Sequence, residues 1–266
     1  PDCANICCAG TKTDTGEKMS TATLRMRMFA GPNGSGKSTI KGVIEPELLG
    51  VYINPDEIEK EIASFGFLDF SFYGVETTAE EVLPFFQESP FLAKAELADD
   101  AGELQFNDGK LSFYAVSVNS YFASVAADFI RQKLLNTGVS FTFETVMSHP
   151  DKVAILKKAQ LRGFRTYLYY VATEDPEINI SRVENRVEAG GHPVPREKIV
   201  ERYHRSLELL ADAVQYTDRA YIFDNSFHEK VWVAEVTGGN DLEIKTDTMP
   251  HWFKIALWDK FVSETD

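Results

Sequence analysis

The sequence predicts an α/β fold built on a mainly parallel sheet, and three observations carry that expectation. Short apolar, β-rich runs alternate with longer stretches of helical spacing. A glycine-rich loop, GPNGSGKS at residues 31–38, follows the first of these runs. Two carboxylates, Asp56 and Glu144, close later runs, at the strand ends where parallel sheets form their ligand crevice.

In chain order, the first strand is expected over 24–30, and a helix over 37–44 leaves the glycine loop. A second strand over 51–54 runs into a helix starting at Pro55 or Asp56. Further strands are expected over 140–144, 166–172, 220–223 and 231–236. Helices are expected over 117–136, 150–162, 176–189 and 195–216, with Gly163 ending the second of these. Phe122, Val125, Ala126 and Phe129 have the spacing of one buried helical face. An aromatic-rich helix over 251–261 closes the pattern.

Residues 65–116 break the alternation. They hold an aromatic cluster (Phe65, Phe67, Phe70, Phe72, Tyr73), an acidic stretch and the string LQFNDGKLSF, whose alternation around Asp108-Gly109 signals a hairpin. The segment reads as an insertion beside the active site, within a single domain over 21–266.

Of the 266 residues, 44% are hydrophobic and 26% charged, ordinary values for a globular chain. A net charge of -14 repels phosphate backbones, so nucleic acid is excluded as a main partner. A nucleotide site in such a chain must carry its own local positive charge. Cys3, Cys7 and Cys8 all lie at the start, which builds no disulfide framework and points to a reducing cytoplasm. Residues 1–20 read as a polar, disordered leader. No apolar run reaches membrane-spanning length, and no membrane partner is expected.

The pattern G-x-x-x-x-G-K-[ST] falls on Gly31, Gly36, Lys37 and Ser38. Glycines let a backbone wrap a phosphate with its N–H groups turned inward; the lysine reaches the β- and γ-phosphates and the serine hydroxyl ligates Mg²⁺. The binding loop is therefore Gly31, Pro32, Asn33, Gly34, Ser35, Gly36, Lys37, Ser38 and Thr39, for a nucleoside triphosphate with Mg²⁺ held at Ser38.

The loop alone does not separate a kinase from an NTPase. Asp56 is placed to deprotonate an acceptor hydroxyl or merely to cap the helix behind it. Glu144 is placed to hold Mg²⁺ through water, to bind substrate hydroxyls, or to face solvent at a strand end. Arg182 and Arg186, then Arg202 and Arg205, form two helix-face pairs joined by AGGHPVP, the pattern of an arginine-bearing lid over 182–205. Surface ion pairing with neighbouring glutamates is the competing role. Asp224-Asn225 either borders a base pocket or forms a polar turn, and His192 sits in the hinge.

The strings FAGPNGSGKST, INPDEI, FTFETVMS and SRVENRVEAGGHPVPREKIVERYHRSLELL, followed by YIFDNS, resemble the zeta toxin family of P-loop kinases, in particular its chromosomal zeta-toxin-like branch. The resemblance covers residues 24–226 apart from the insertion. It implies a P-loop kinase-type three-layer α/β/α sandwich that uses ATP and Mg²⁺ to phosphorylate a small-molecule hydroxyl, in characterised members that of UDP-N-acetylglucosamine. It also implies an antitoxin protein as partner. By motif match it makes Lys37 the phosphate-binding lysine and Asp56 the general base. Glu144 and Thr145 would face the acceptor sugar, and Arg182, Arg186 and Arg202 the γ-phosphate. The chain departs from the family at Val146, where a hydroxyl residue is common, and at GGHPVP, which replaces an arginine-bearing segment. Two alternatives remain: a P-loop NTPase or regulatory module without a sugar acceptor, and a toxin component acting through its partner.

Overall fold

The computed structural model describes residues 23–191 and 193–263. The three cysteines, the leader over 1–20 and His192 lie outside these.

Strand β1 (Arg25–Ala30) enters the middle of the sheet and ends at the glycine loop. The segment Lys37–Val43 that follows is a 3₁₀-helix, tighter than an α-helix and eclipsed every third residue. A one-turn helix α1 (Pro46–Leu49) then leads to β2 (Val51–Ile53) and α2 (Pro55–Phe65). The interrupting segment supplies β3 (Phe67–Asp69), a 3₁₀ turn (Phe70–Tyr73), α3 (Ala79–Gln87), α4 (Pro90–Lys94), α5 (Ala98–Gly102), β4 (Gln105–Asn107) and β5 (Lys110–Ser112). The α/β alternation resumes with α6 (Ser120–Thr137), β6 (Phe141–Thr145), α7 (Asp151–Leu161) and β7 (Arg165–Ala172). Helices α8 (Pro176–Glu188), α9 (Arg196–Glu208) and α10 (Leu210–Gln215) precede β8 (Arg219–Asp224), β9 (Val231–Thr237) and β10 (Asp241–Ile244). The C-terminal helix starts at His251–Phe253 and passes through a π-helical turn, Lys254–Trp258.

The seven-stranded sheet has the order β10-β9-β8-β7-β1-β6-β2. Strands β8, β7, β1, β6 and β2 are parallel; β9 pairs antiparallel with β8, and β10 antiparallel with β9. The predicted α/β class with a mainly parallel sheet is the observed one. From β1 the chain crosses outward to β2 over one face, then winds back through β6, β7 and β8 over the other. The switch of direction leaves a crevice at the strand ends beside β1.

Alternation along β1 splits the core in two. Met26, Met28 and Ala30 face the large cluster shared with α6, α7 and α10, while Phe29 faces Ile40, Ile44, Leu49, Val171 and Phe223. Among the described residues, that second face carries only the 3₁₀-helix and α1 as its helical layer, because so few residues separate the glycine loop from β2.

The hairpin forms where expected. Asp108 and Gly109 both have positive φ (50° and 76°), as a two-residue type I′ turn requires, and β4–β5 is joined by β3 into a three-stranded sheet. Leu68, Phe70, Val82, Phe86, Leu92, Leu111 and Phe113 from this segment sit in the large core cluster with Met26 and Phe143.

Candidate functional site

The glycine loop is fitted to the strands beside it. A Cβ on Gly31, at φ +143°, would lie 2.0 Å from the Val171 carbonyl oxygen; one on Gly34, at φ +73°, would lie 2.5 Å from that of Asn179. Both positions demand glycine for space as well as for backbone conformation. Lys37 turns its Nζ back onto the loop and donates to the carbonyls of Gly31 and Pro32, each at 2.9 Å. Thr39 Oγ1 closes onto the Gly36 carbonyl at 2.7 Å.

Two side chains beyond the loop hold its shape. Asn179 Nδ2 donates to the Asn33 carbonyl at 2.6 Å, and Asn225 Nδ2 to the Ser35 carbonyl at 2.8 Å. Asn225 thus grips the loop, a role added to the two expected for Asp224-Asn225. Asp224 is buried and accepts from Trp252 Nε1 at 2.7 Å and from Ser226 Oγ at 2.7 Å.

Three buried polar atoms here, Asn33 Oδ1, Ser35 Oγ and Arg182 Nη1, have no hydrogen-bond partner among the described residues. Unpaired buried polar groups are costly, and their gathering around one loop marks a place where a polar ligand would complete the bonding.

Glu144 is the next-to-last residue of β6 and is 6% exposed, so the solvent-facing role falls away. Its carboxylate accepts from the Tyr52 phenol on one oxygen and from Ser38 Oγ, at 3.3 Å, on the other. Burial and the Glu144 carboxylate push the Tyr52 phenol up, which keeps it a donor. Lys41 Nζ lies 3.8 Å from the centre of the Tyr52 ring. Thr145 is turned the other way: its hydroxyl accepts from the Met147 N–H at 3.1 Å, and Met147 holds a left-handed φ of 54°.

Asn54 caps α2 by accepting from the Asp56 N–H at 2.9 Å. The Asp56 side chain, relieved of capping, reaches Arg186 Nη1 at 3.4 Å. Burial pushes the Lys37 ammonium down to about 8; Glu144 and Asp56 pull it up, and Arg186 and Arg202 press it down. Lys37, Asp56, Glu144, Arg186 and Arg202 therefore share one electrostatic site.

The arginines sort by environment. Arg182 is partly buried with one unpaired nitrogen, and Arg186 meets Asp56. Arg205 pairs with Glu201 one helical turn away at the surface. Helices α8 and α9 pack on each other through Ile180, Val183 and Ile199. The α9 end is fastened to the body: Tyr203 donates to the Thr173 carbonyl at 2.6 Å, and Ser206 Oγ to that of Val146 at 2.9 Å.

Sequence reasoning missed Tyr52, Asn179 and the grip of Asn225. Asn179 had one legible signal, since it stands three and seven residues before Arg182 and Arg186, on their helix face.

Residues 109–237 match the family model described as Zeta toxin. An uncharacterized protein of Haemophilus influenzae is 31% identical over 65 residues, 24% of this chain and 46% of that one. Among solved structures, the AvrRxo1-ORF1:AvrRxo1-ORF2 complex with sulphate ions aligns with a TM-score of 0.51 at 15% identity, over 88% of this chain and 64% of that one. The PezAT chromosomal toxin–antitoxin system of Streptococcus pneumoniae aligns with a TM-score of 0.44 at 15% identity, over 94% and 90%. The chain thus spans about half the length of the Haemophilus relative and less than two thirds of the AvrRxo1 chain. Residues 109–237 thus resemble the zeta toxin family, and the chain as a whole shares the α/β fold of the AvrRxo1 structure.

Proposed function

We propose that this protein transfers the γ-phosphate of ATP to a hydroxyl of a small molecule. The observation that carries the reading is the pair of contacts around the glycine loop, Ser38 with the Glu144 carboxylate at 3.3 Å and Asp56 with Arg186 at 3.4 Å.

The residues fit the groups the reading needs. The unpaired Asn33 Oδ1, Ser35 Oγ and Arg182 Nη1 fit a polyphosphate, and the Ser38–Glu144 pair offers a hydroxyl and a carboxylate suited to Mg²⁺. When bound, Mg²⁺ supplies charge neutralisation between the β- and γ-phosphates. Lys37 exchanges its loop carbonyls for phosphate oxygens. Asp56, oriented by Arg186, takes the acceptor hydroxyl proton as the acceptor oxygen bonds to the γ-phosphorus and the bond to the β–γ bridging oxygen breaks, releasing ADP. Arg182, Arg186 and Arg202 meet the charge on the transferring group.

The resemblance suggests a UDP-N-acetyl amino sugar as acceptor, with Glu144 and Thr145 on its side of the site, and an antitoxin partner in the cytoplasm. The AvrRxo1-ORF1 neighbour is itself seen in complex with ORF2. No helix among the described residues is long and apolar enough to cross a membrane. The segment 65–116 is proposed to bound the acceptor side. Helix α2 carries Asp56 at its start and ends at that segment; Phe91 of α4 packs on Tyr121, whose hydroxyl accepts from Lys198 of α9 at 3.5 Å.

The test is incubation of purified protein with ATP, Mg²⁺ and a panel of nucleotide sugars, beside Asp56→Asn. A phosphorylated sugar whose formation Asp56→Asn lowers about a hundredfold or more supports the reading. Slow hydrolysis indifferent to every acceptor and to Asp56→Asn would leave an NTPase instead.

A further inference from the structure

We propose that Asn179 is a positioning residue that locks both arginine-bearing helices to the phosphate loop, so that the arginines are placed only when the loop is. The proposal rests on the phosphotransferase reading above and deepens it.

Asn179 is completely buried, and its two partners fix the orientation of its amide. Nδ2 donates to the Asn33 carbonyl at 2.6 Å, and Oδ1 accepts from the Thr173 hydroxyl. The backbone there is equally close, since a Cβ on Gly34 would strike the Asn179 carbonyl oxygen at 2.5 Å. Asn179 therefore joins α8 to the loop through side chain and main chain at once.

Thr173 extends the connection. Its hydroxyl holds the Asn179 amide on α8, while its carbonyl accepts from Tyr203 on α9 at 2.6 Å. Arg202 directly precedes Tyr203, and Arg182 and Arg186 share the α8 face with Asn179. One buried chain of bonds, Asn33–Asn179–Thr173–Tyr203, thus ties the loop to the helices that carry all three arginines. Two of the unpaired polar atoms, Asn33 Oδ1 and Arg182 Nη1, lie on residues joined through this link.

Asn225 supplies a built-in control. It holds the same loop through the Ser35 carbonyl at 2.8 Å, but from the residue just after β8, away from the helices that bear these arginines. Loss of either amide loosens the loop; only loss of Asn179 also displaces the arginines.

The experiment measures Mg²⁺-dependent affinities for ATP and ADP by titration calorimetry. The proteins are the wild type, Asn179→Asp, Asn225→Asp, Arg182→Ala and the double variant Asn179→Asp/Arg182→Ala. The wild type should prefer ATP over ADP by about tenfold or more, within the usual range of coupling between sites. Asn179→Asp should erode most of that preference, and the double variant should lose less than the product of the two single losses, as for residues acting partly as one unit. Asn225→Asp should weaken both nucleotides and keep their ratio. If Asn179→Asp does not fold, Thr173→Val, which removes the hydroxyl that orients the amide, should erode the ratio in the same direction. A retained ratio in the Asn179 and Thr173 variants, or multiplicative losses in the double variant, would overturn the proposal while leaving the phosphotransferase reading in place. A wild type that binds neither nucleotide would defeat both.

Discussion

Ser38 and Glu144, 106 residues apart, meet across the crevice at 3.3 Å, hydroxyl to carboxylate. One closes the glycine loop and the other stands next to the end of β6, the strand beside β1. The register of these two parallel strands is what brings them together. If the pair holds Mg²⁺, Glu144→Gln should raise the Mg²⁺ concentration for half-maximal ATP turnover by about 10–100-fold, the usual cost of losing a partner around a metal. A Mg²⁺ titration checks this, and an unchanged midpoint would return Glu144 to the acceptor side alone.

ATP affinity should depend on pH through Lys37. Burial depresses its ammonium to about 8 in the unliganded fold, and a bound polyphosphate favours the charged form again. Binding then takes up a proton above that value. Affinity should be full below about pH 8 and weaken as pH rises, by at most about tenfold per unit. Titrations between pH 7 and 9.5 test the slope, and Lys37→Met should flatten it. A level wild-type profile would show that the ammonium is not the titrating contact.

Gly34→Ala should destabilise the protein more than Gly74→Ala. Both glycines are left-handed, at φ +73° and +62°, which costs an alanine about 1–2 kcal/mol. Only at Gly34 does the new Cβ meet backbone, the Asn179 carbonyl oxygen; Gly74 opens on free space. The collision should add about 1–3 kcal/mol. Thermal unfolding of the two variants measures the difference directly.

The arginines should separate cleanly. Arg205→Ala removes an exposed pair worth about 0.2–1 kcal/mol and should change turnover by no more than a few fold. Arg182→Ala should lower it about a hundredfold or more, as loss of a preorganised charge at a transferring group does. Comparable kcat values for the two variants would contradict the assignment.

The legible parts of this molecule were those written locally. Apolar strand runs, the glycine loop and the Asp108-Gly109 turn need only near neighbours to declare themselves, and each forms as expected. The strand Asp241–Ile244 went unread because it is a four-residue edge strand, DLEI, too short for its alternation to stand out. The expected helix over 195–216 breaks at Leu209 into α9 and α10, and no proline or glycine in the sequence marks the spot. The helix after the glycine loop is 3₁₀, a distinction that helical spacing over seven residues does not encode. At the site, spacing gave the candidates but could not rank them. Arg182 and Arg205 look alike along the chain, and only burial and ion pairing separate them. Asn179, Asn225 and Tyr52 act through partners 146, 190 and 92 residues away, contacts that no local pattern records.

Segment 65–116 shares its apolar side chains with the core under the sheet, and this bears on how such a protein can diverge. A loop hung outside a finished scaffold can be exchanged freely, but replacing residues 65–116 would hollow the body beneath β1 and β6. Variants that retune this region for another small molecule should therefore also differ in melting temperature, and selection for one trait will drag the other with it.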